Sequence, residues 1–302
     1  IDVVQICNPP DFLFLPALLA KKFGGARIVF DQHDLTPALL AEKTGKAAGP
    51  LMSFARWAER RTFAAADAVI ATNSALRDRA LRFGMHEDDA VSIVYSSPDL
   101  DALQRAAPDP SLKKGADTLL LWVGVMGSQD GLDLLLQSVR ALQSMPGGAT
   151  SHVLIAGDGP ERAAMEAMAV DLGVADKVTF AGFLHGEALA TAFATADIGV
   201  GSDPKNPFND RLAMNKVFEY MAWRLPMALF DLDECRNIAA SAALYASNND
   251  PASLAANISN LTQSPELRRT MGARGFSRLE RDYGWEMQKE RYVATFERLR
   301  HG

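Results

Sequence analysis

The stretch SDPKNPFNDRLAMNKVFEYMAWRLPMALFD, residues 202–231, decides the interpretation of this chain. A polar loop rich in Asn and Pro leads into a short helix, and a later Pro ends that helix and begins an apolar strand. We expect the helix to start between Asn209 and Asn215, because Asn and Asp are good capping residues. On an ideal helix the apolar side chains share one arc, and Asn215, Lys216 and Glu219 share the opposite one.

This helix has two interpretations. The backbone N–H groups and the dipole at its N-terminus favour a bound anion, with the polar side chains of the helix nearby. The alternative is a capped surface helix with an ordinary charged face. The pattern alone leaves both open, so the rest of the chain has to decide.

The composition limits the class of protein. A chain of 302 residues predicts two domains, and 48% hydrophobic with 23% charged residues is typical of a soluble globular protein. The net charge of −6 argues against non-specific nucleic-acid binding. Two cysteines and five histidines show neither zinc-ligand spacing nor a disulfide framework, so we expect no metal site and a reducing cytoplasm. No apolar run reaches the ~20 residues of a membrane span, and no signal peptide is visible. Because the chain opens directly on a strand, we expect further residues ahead of it.

The first hundred residues alternate between strand and helix. This pattern predicts a parallel sheet covered on both faces, with ligands at the carboxyl ends of the strands. Asn8, His33 and the pair Ser96-Ser97 would then lie on one rim. The expected strands are residues 1–7, 27–31, 68–72 and 91–95, and the expected helices are residues 12–22, 51–65 and 73–83, the last ending at Gly84.

A polar, Pro-containing stretch at residues 98–116 predicts an interdomain linker, and a second alternating series follows it. The architecture is therefore α/β, with two tandem Rossmann-like domains at residues 1–100 and 101–283 whose parallel sheets face a central cleft. The expected strands of the second series are residues 118–123, 152–156, 177–181, 198–201, 227–230 and 244–246, and its expected helices include residues 132–142, 161–172 and 187–194.

Three further features each have two interpretations. The glycine-rich loop at residues 124–131 has the placement of a phosphate cradle, but it lacks both the GxGxxG spacing and the Lys of a P-loop, so it is equally a glycine turn. The Gly157-Asp158-Gly159 turn favours a simple helix start. His33, at a strand end, either orients a substrate hydroxyl or phosphate, or is a hydrogen-bonded structural residue.

The helix at residues 51–63 combines Arg56, Arg60 and Arg61 with large apolar side chains. It is either a membrane-surface helix or, as we expect, a helix that packs its apolar side on the sheet and leaves its arginines in water.

Several blocks in this order resemble the group 1 retaining glycosyltransferases, family 4 of the GT-B fold. They are FDQHDLTP, VGVMGSQDGLDLLL, VLIAGDGPE, VTFAGF, ADIGVGSDP and NKVFEYMA followed by LP. NDRLAMNKVFEYMA is similar to the members that build bacterial surface polysaccharides. The resemblance implies that the first strand–helix units of the N-terminal domain, with its glycine-rich acceptor loop, precede residue 1. It also implies that the last helix, residues 284–302, crosses back onto that domain.

The resemblance assigns roles to individual residues. Glu219 matches the second glutamate of the family's E-x7-E motif, which binds the ribose hydroxyls of the nucleotide. The first glutamate is replaced by Arg211, so Asp210 or Asn209 would take over contact with the donor sugar. His33 matches the histidine that contacts that sugar. The catalytic group is thus expected to be His33, Asp210 and Arg211.

The diphosphate loop departs from the family pattern, because Val125 and Asp130 stand where the usual Arg and Lys are expected. Lys216 is our candidate to supply the missing positive charge, and Phe183 lies in the loop that flanks the base. The nucleotide-sugar site is expected to comprise Gly124, Val125, Met126, Gly127, Gly157, Phe183, Asn215, Lys216 and Glu219.

The implied reaction is retaining transfer from a nucleotide-sugar, UDP-linked, to a glycan or lipid-linked acceptor, with no cofactor and no metal. The reaction would take place in the cytoplasm. Peripheral association of the protein with the inner face of the cytoplasmic membrane is a further expectation. Two alternatives stay open, a sugar-nucleotide epimerase of the same fold and a catalytically silent sugar-nucleotide-binding protein. A nicotinamide dehydrogenase is excluded because no dinucleotide fingerprint follows any strand.

Overall fold

The computed structural model describes residues 1–83, 90–247 and 249–301. The chain divides into two compact units. The first comprises residues 1–97, 211–213 and 283–302, and the second comprises residues 98–210 and 214–282. Each unit is built on its own parallel β-sheet, so the predicted class of two parallel α/β domains is confirmed.

The first unit has a four-stranded sheet in the order β1-β2-β3-β4, with every neighbouring pair parallel. The sequence pattern predicted all four strands, but it missed α2, which follows Leu35. The predicted helix stop at Gly84 lies outside the described residues. The strands are β1 (Val3–Cys7), β2 (Arg27–Gln32), β3 (Ala68–Ala71) and β4 (Val91–Ile93), and the helices are α1 (Phe14–Gly24), α2 (Thr36–Thr44), α3 (Pro50–Ala65), α4 (Ser74–Arg82) and α12 (Trp285–His301).

Helix α3 packs differently from the prediction. Its buried side is made mainly of small residues together with Met52 and Phe63. Leu51, Phe54 and Trp57 are instead 59%, 51% and 48% exposed. The expectation that these large apolar side chains pack on the sheet is therefore wrong, because small side chains let the opposite side of the helix approach the core more closely.

Helix α12 covers part of the first unit's sheet. Its Tyr292, Phe296 and Leu299 pack against a cluster that includes Val29 and Ile70. The Thr295 hydroxyl also donates to Ser92 Oγ at 2.7 Å. The last helix of the chain therefore belongs to the first compact unit.

The second unit has a six-stranded parallel sheet in the order β10-β9-β8-β5-β6-β7. One of its two central strands, residues 118–123, is wholly buried, which explains the nearly uninterrupted apolar sequence there. The strands are β5 (Thr118–Val123), β6 (Ser151–Ala156), β7 (Val178–Gly182), β8 (Ile198–Gly201), β9 (Met227–Phe230) and β10 (Ala243–Ala246). The helices are α5 (Leu132–Leu142), α6 (Arg162–Asp171), α7 (Gly186–Thr195), α8 (Asn215–Ala222), α9 (Asp233–Ala239), α10 (Pro251–Gln263) and α11 (Pro265–Arg278).

In the described ranges, no helix is both long enough and apolar enough to cross a bilayer.

Candidate functional site

Helix α8, the helix of the NKVFEYMA segment, is fixed to the sheet of the second unit by one buried tyrosine. The Tyr220 hydroxyl accepts from Val123 N–H at 3.2 Å and lies 3.0 Å from the carbonyl oxygens of Leu121 and Val200. Gly199 allows this approach, since a Cβ on it would lie 2.5 Å from the Tyr220 ring. The phenol thus ties α8 to the ends of β5 and β8.

Helix α8 begins at Asn215, as predicted, but its cap does not match the prediction. The residue before the helix is Met214, and no side chain caps the first turn. The N–H groups of this turn therefore have no side-chain acceptor. Asn215 itself is exposed. This end of the helix can offer backbone donors and an amide side chain to an anion.

Lys216 is buried, and not exposed on the polar arc of α8 as predicted. Its ammonium is buried and contacts both carboxylate oxygens of Asp203, at 2.9 and 3.0 Å. The same nitrogen lies 4.9 Å from the centre of the Trp122 ring. The prediction that Lys216 faces away from the packed side of the helix is wrong, because Asp203 gives the buried charge a partner.

The electrostatics of this pair favour a charged lysine. Burial by itself would lower the pKa of Lys216, but the carboxylates of Asp203 and Asp130 outweigh burial and raise the pKa above its ordinary value. The Lys216 ammonium therefore stays protonated and supplies a fixed positive charge next to the glycine-rich loop. A Cβ built on Gly124 would lie 3.5 Å from Lys216 Nζ.

Glu219 is the partly buried carboxylate of α8. Its backbone carbonyl accepts from Trp223 N–H at 3.1 Å, but its carboxylate oxygens form no hydrogen bond or ion pair with the described residues. Burial raises its pKa, and the charge of Lys216 partly offsets that effect. A carboxylate with unused acceptor oxygens is suited to a pair of neighbouring hydroxyl groups.

Two glycine loops meet at the carboxyl ends of β5 and β6. Gly157 packs so closely that a Cβ on it would lie 1.9 Å from the carbonyl oxygen of Gly124. Met126 N–H donates to Asp158 O at 2.9 Å, and Met126 O accepts from Glu161 N–H at 3.0 Å. These contacts hold the loop that was predicted to cradle a diphosphate.

The individual loop residues have different placements. The Met126 side chain is fully buried and both of its backbone groups are bonded, so it shapes the loop and has no free group for a ligand. Gly127 N–H donates to Asp130 Oδ2 at 3.1 Å, so it is engaged as well. Val125 is 61% exposed on the loop, and Phe183 is 75% exposed at the end of β7. Both are accessible, as a contact with a nucleotide requires.

The residues expected to replace the first glutamate of the family motif are engaged elsewhere. Asp210 Oδ1 forms an ion pair with Lys205 Nζ at 3.0 Å and accepts from Asp233 N–H at 2.8 Å. Arg211 is exposed and belongs to the first unit, where its carbonyl oxygen accepts from Asn73 Nδ2 at 2.7 Å. The two neighbours in sequence are therefore held by different contacts.

His33 lies at the carboxyl end of β2 in the first unit. Its backbone N–H donates to Asn8 Oδ1 at 2.9 Å, and its Nε2 lies 3.2 Å from Asp31 Oδ1. The hydrogen bond with Asp31 raises the pKa of His33, although burial opposes it. Asp31 therefore orients this imidazole and favours its protonated form.

Sequence reasoning missed Asp203, Trp122 and Tyr220, which build the surroundings of Lys216. A signal for Asp203 was present, because it follows the buried strand β8 directly and so had to lie at the ligand-binding edge of the sheet. Trp122 and Tyr220 resembled ordinary core residues.

Comparison with known proteins supports one family over most of the chain. The family model described as "Glycosyl transferase 4-like domain" matches residues 1–95, and the model described as "Glycosyl transferases group 1" matches residues 117–264.

Individual relatives are more distant. A GDP-mannose-dependent alpha-(1-6)-phosphatidylinositol dimannoside mannosyltransferase of Mycobacterium tuberculosis is 24% identical over 273 residues, which is 87% of this chain and 68% of the relative. An uncharacterised glycosyltransferase of Methanocaldococcus jannaschii is 32% identical over 92 residues, 30% of this chain. The chain spans only 23% of the length of that second relative.

Among solved structures, HepE of Anabaena in complex with UDP and glucose has a TM-score of 0.74 to this chain. It is 14% identical, and the match covers 97% of this chain and 77% of HepE. This likeness concerns the fold. The two family matches and the two parallel-sheet units lead to one conclusion: the chain belongs to the group 1 glycosyltransferases, family 4 of the GT-B fold.

Proposed function

We propose that this protein is a retaining glycosyltransferase that moves a sugar from a nucleotide-sugar to a hydroxyl group of a glycan or lipid-linked acceptor. The observation that carries the proposal is the arrangement in the second unit of Glu219, Lys216 and the Gly124 loop. It combines a carboxylate that has no side-chain partner among the described residues, a buried ammonium and a glycine turn. These groups fit the ribose hydroxyls, the charge of the diphosphate and the diphosphate oxygens, respectively.

Glu219 is assigned the ribose hydroxyl groups, because its two oxygens are free to accept from both. Phe183 is assigned the base, since its exposed ring can stack on one. Asn215 and the first turn of α8 are assigned the diphosphate, together with the Gly124 loop. Gly157 acts by letting the two loops close on each other.

The diphosphate leaves with growing negative charge, which fixed donors stabilise without reorganising. Because Lys216 is paired with Asp203, the net charge of that pair is small. We therefore propose that backbone N–H groups provide most of the stabilisation of the leaving diphosphate. Lys216 would contribute a smaller attraction from its ammonium group, which lies close to Gly124. The acceptor hydroxyl then attacks the sugar from the face that the diphosphate leaves. We propose that these groups suffice without a metal ion or a cofactor.

We propose that Asp210 and Arg211 make the contact with the donor sugar that the first glutamate of the family motif makes in other members. Asp210 is held by Lys205, so a donor sugar would reach it only by sharing or displacing that ion pair. Arg211 keeps an exposed guanidinium. His33 is assigned contact with the donor sugar, in keeping with the resemblance.

The donor nucleotide has two candidates. HepE was crystallised with UDP, and the mycobacterial relative is named for GDP-mannose. We propose a UDP-sugar and a role in cell-surface polysaccharide synthesis, in line with the NDRLAMNKVFEYMA block. The reaction would take place in the cytoplasm, at the inner face of the membrane.

A donor and acceptor panel tests the proposal. The protein is incubated with UDP- and GDP-linked sugars, with and without lipid-linked and simple glycan acceptors, in buffer with a metal chelator. We expect release of UDP that depends on acceptor. Release of GDP instead would overturn the choice of nucleotide. A free sugar released without acceptor would indicate an epimerase, and binding without turnover would indicate a silent binding protein.

We also propose that the first unit binds the surface of an anionic bilayer. Helices α1 and α3 are linked by an edge-to-face contact between Phe14 and Trp57, with ring centres 5.8 Å apart. Exposed basic side chains lie among apolar ones, the pattern of an interfacial helix. The exposed apolar residues are Phe12, Leu15, Leu19, Phe23, Leu51, Phe54 and Trp57, and the exposed basic ones are Lys22, Arg56, Arg60 and Arg61.

Co-sedimentation with vesicles tests this surface. We expect the protein to pellet with phosphatidylglycerol vesicles and to stay in solution with phosphatidylcholine vesicles. Phe54→Ser with Trp57→Ser should abolish pelleting, whereas Val170→Ser, at a 66% exposed valine of the second unit, should not. Equal pelleting of all three proteins would contradict the proposal.

A further inference from the structure

Three side chains with metal-ligand chemistry converge at the carboxyl end of the first unit's sheet. Cys7 and Asp31 are register partners on the neighbouring parallel strands β1 and β2, and His33 lies two residues beyond Asp31. Register partners on neighbouring strands point to the same face, so Cys7 and Asp31 share one face of the sheet, and His33 contacts Asp31 from just beyond the end of β2. No linear motif marks them, because the strand pairing alone brings Cys7 to the other two.

The distances are close to those of a metal site. His33 Nε2 lies 3.2 Å from Asp31 Oδ1, and Cys7 Sγ lies 3.8 Å from Asp31 Oδ2. One ligand atom from each residue falls within 4.8 Å of the other two. Tetrahedral zinc with bonds of about 2.0–2.3 Å needs neighbouring ligand atoms roughly 3.2–3.7 Å apart. Small side-chain rotations at the exposed Cys7 and the half-exposed His33 would therefore close the site.

A chain of two hydrogen bonds holds the Asp31 carboxylate of this cluster in place. Gln5 Nε2 donates to Asp31 Oδ2 at 2.7 Å, and the Tyr292 hydroxyl donates to Gln5 Oε1 at 2.6 Å. A hydrogen-bonded chain of this kind is how proteins orient a carboxylate that binds a metal ion. Asp31 Oδ1 contacts only the His33 imidazole among the described side chains, and a bound metal ion would replace that contact.

We infer that Cys7, Asp31 and His33 form a binding site for a thiophilic divalent cation, zinc above all. Sulfur, imidazole nitrogen and carboxylate oxygen together suit zinc, whereas magnesium and calcium prefer oxygen ligands alone. Three protein ligands leave a fourth position for water on the exposed side. Zinc binding here would displace both the thiol proton of Cys7 and the proton on His33 Nε2, because metal ligands bind in their deprotonated form.

The consequence for activity rests on the proposed function, which assigns His33 to the donor sugar. A zinc ion would occupy the His33 imidazole and remove it from that contact. Zinc is therefore an inhibitor of transfer in this proposal, and it is not a catalytic cofactor.

Direct metal binding tests the site independently of catalysis. Metal-free protein, reduced with a phosphine, is titrated with zinc by calorimetry and with cobalt(II) by absorption spectroscopy, which reports a thiolate–cobalt band. We expect one saturable site in the parent protein. Cys7→Ala should lose the thiolate band and bind zinc roughly tenfold or more weakly. Cys235→Ala is the matched control, since that thiol is buried in the second unit and should not matter.

Absence of saturable zinc binding in the parent, or equal affinity in Cys7→Ala, would overturn the site. Transfer assays with added zinc form a separate arm. Inhibition of the parent but not of Cys7→Ala is expected. Inhibition that persists in Cys7→Ala would overturn the proposed link to His33. A protein that binds zinc as expected but transfers no sugar from any donor would leave the site standing and refute the proposed function.

Discussion

Lys216 and Asp203 form a two-point ion pair inside the second unit, with Nζ 2.9 and 3.0 Å from the two carboxylate oxygens. The two side chains are only 9% and 6% exposed. Trp122 lies against the ammonium, and Gly124 leaves room for it. The pair thus places an ammonium and a carboxylate together at the edge of the sheet, where Lys216 of α8 approaches Gly124.

Breaking this pair should destabilise the protein strongly. Asp203→Asn leaves the buried ammonium without a full counter-charge, and we expect a loss of ~3–5 kcal/mol in the free energy of unfolding. Asp203→Asn combined with Lys216→Met should recover most of that loss, because it removes both charges. Chemical denaturation measures both variants. If Asp203→Asn were as stable as the parent, the ion pair would contribute nothing to the free energy of unfolding.

Glu219 should contribute mainly to nucleotide binding. Glu219→Gln removes a charged acceptor, so we expect affinity for the nucleotide to fall by ~1–3 kcal/mol while the fold persists. Calorimetric titration with UDP and GDP gives the affinity. Glu234→Gln is the control, since Glu234 is also buried but lies on α9. Unchanged nucleotide affinity in Glu219→Gln would return α8 to the interpretation as an ordinary surface helix.

Tyr220→Phe should lower stability with little change in shape. The substitution removes only the hydroxyl that accepts from Val123 N–H and donates its single proton to one of the two carbonyl oxygens, and we expect a cost of ~1–3 kcal/mol. Tyr245→Phe is the comparison, because its hydroxyl donates to a single carbonyl, that of Ala240, in a less buried position. Urea denaturation should show the larger loss at Tyr220. Equal losses would argue against its anchoring role.

Gly157→Ala should disrupt the contact between the two glycine loops. The added methyl group would lie 1.9 Å from the backbone oxygen of Gly124, so the loops must separate. We expect both a lower melting temperature and weaker nucleotide binding. Gly24→Ala is the matched control, since a Cβ there meets nothing within 4 Å. A Gly157→Ala protein that behaves like Gly24→Ala would refute the close packing.

His152 should make the second unit sensitive to mild acid. Burial in β6, followed by the charges of Lys114 and Lys177, lowers the pKa of His152 below 6.5. The unfolded chain therefore takes up this proton first as the pH falls. Stability from this group is complete above pH 6.5 and is lost as the pH falls from there through the folded pKa.

Urea denaturation at a series of pH values measures this loss. His152→Gln, which can still reach the Thr179 hydroxyl that the imidazole contacts, should show a smaller loss of stability below pH 6.5 than the parent. An identical pH profile for the two proteins would show that another group is responsible.

The sequence by itself determined the order of the strands, most of the helices and the placement of the polar segments at strand ends. Apolar runs such as residues 118–123 and 227–230 predict buried strands, and the glycine turn that follows the first of them marks the edge of the sheet. The position of Glu219 on a polar arc of α8 likewise follows from helical periodicity.

Only the tertiary structure decided which side chains meet. The pairing of Lys216 with Asp203 depends on how α8 packs against β8 and the loop after it, and helical periodicity alone could not show that this lysine is buried. The meeting of Cys7 with Asp31 depends on the register of β1 against β2. The exposure of Trp57 depends on which side of α3 packs more closely against its neighbours. Periodicity describes one element at a time, whereas charge pairing, register and packing are relations between elements that are distant in sequence.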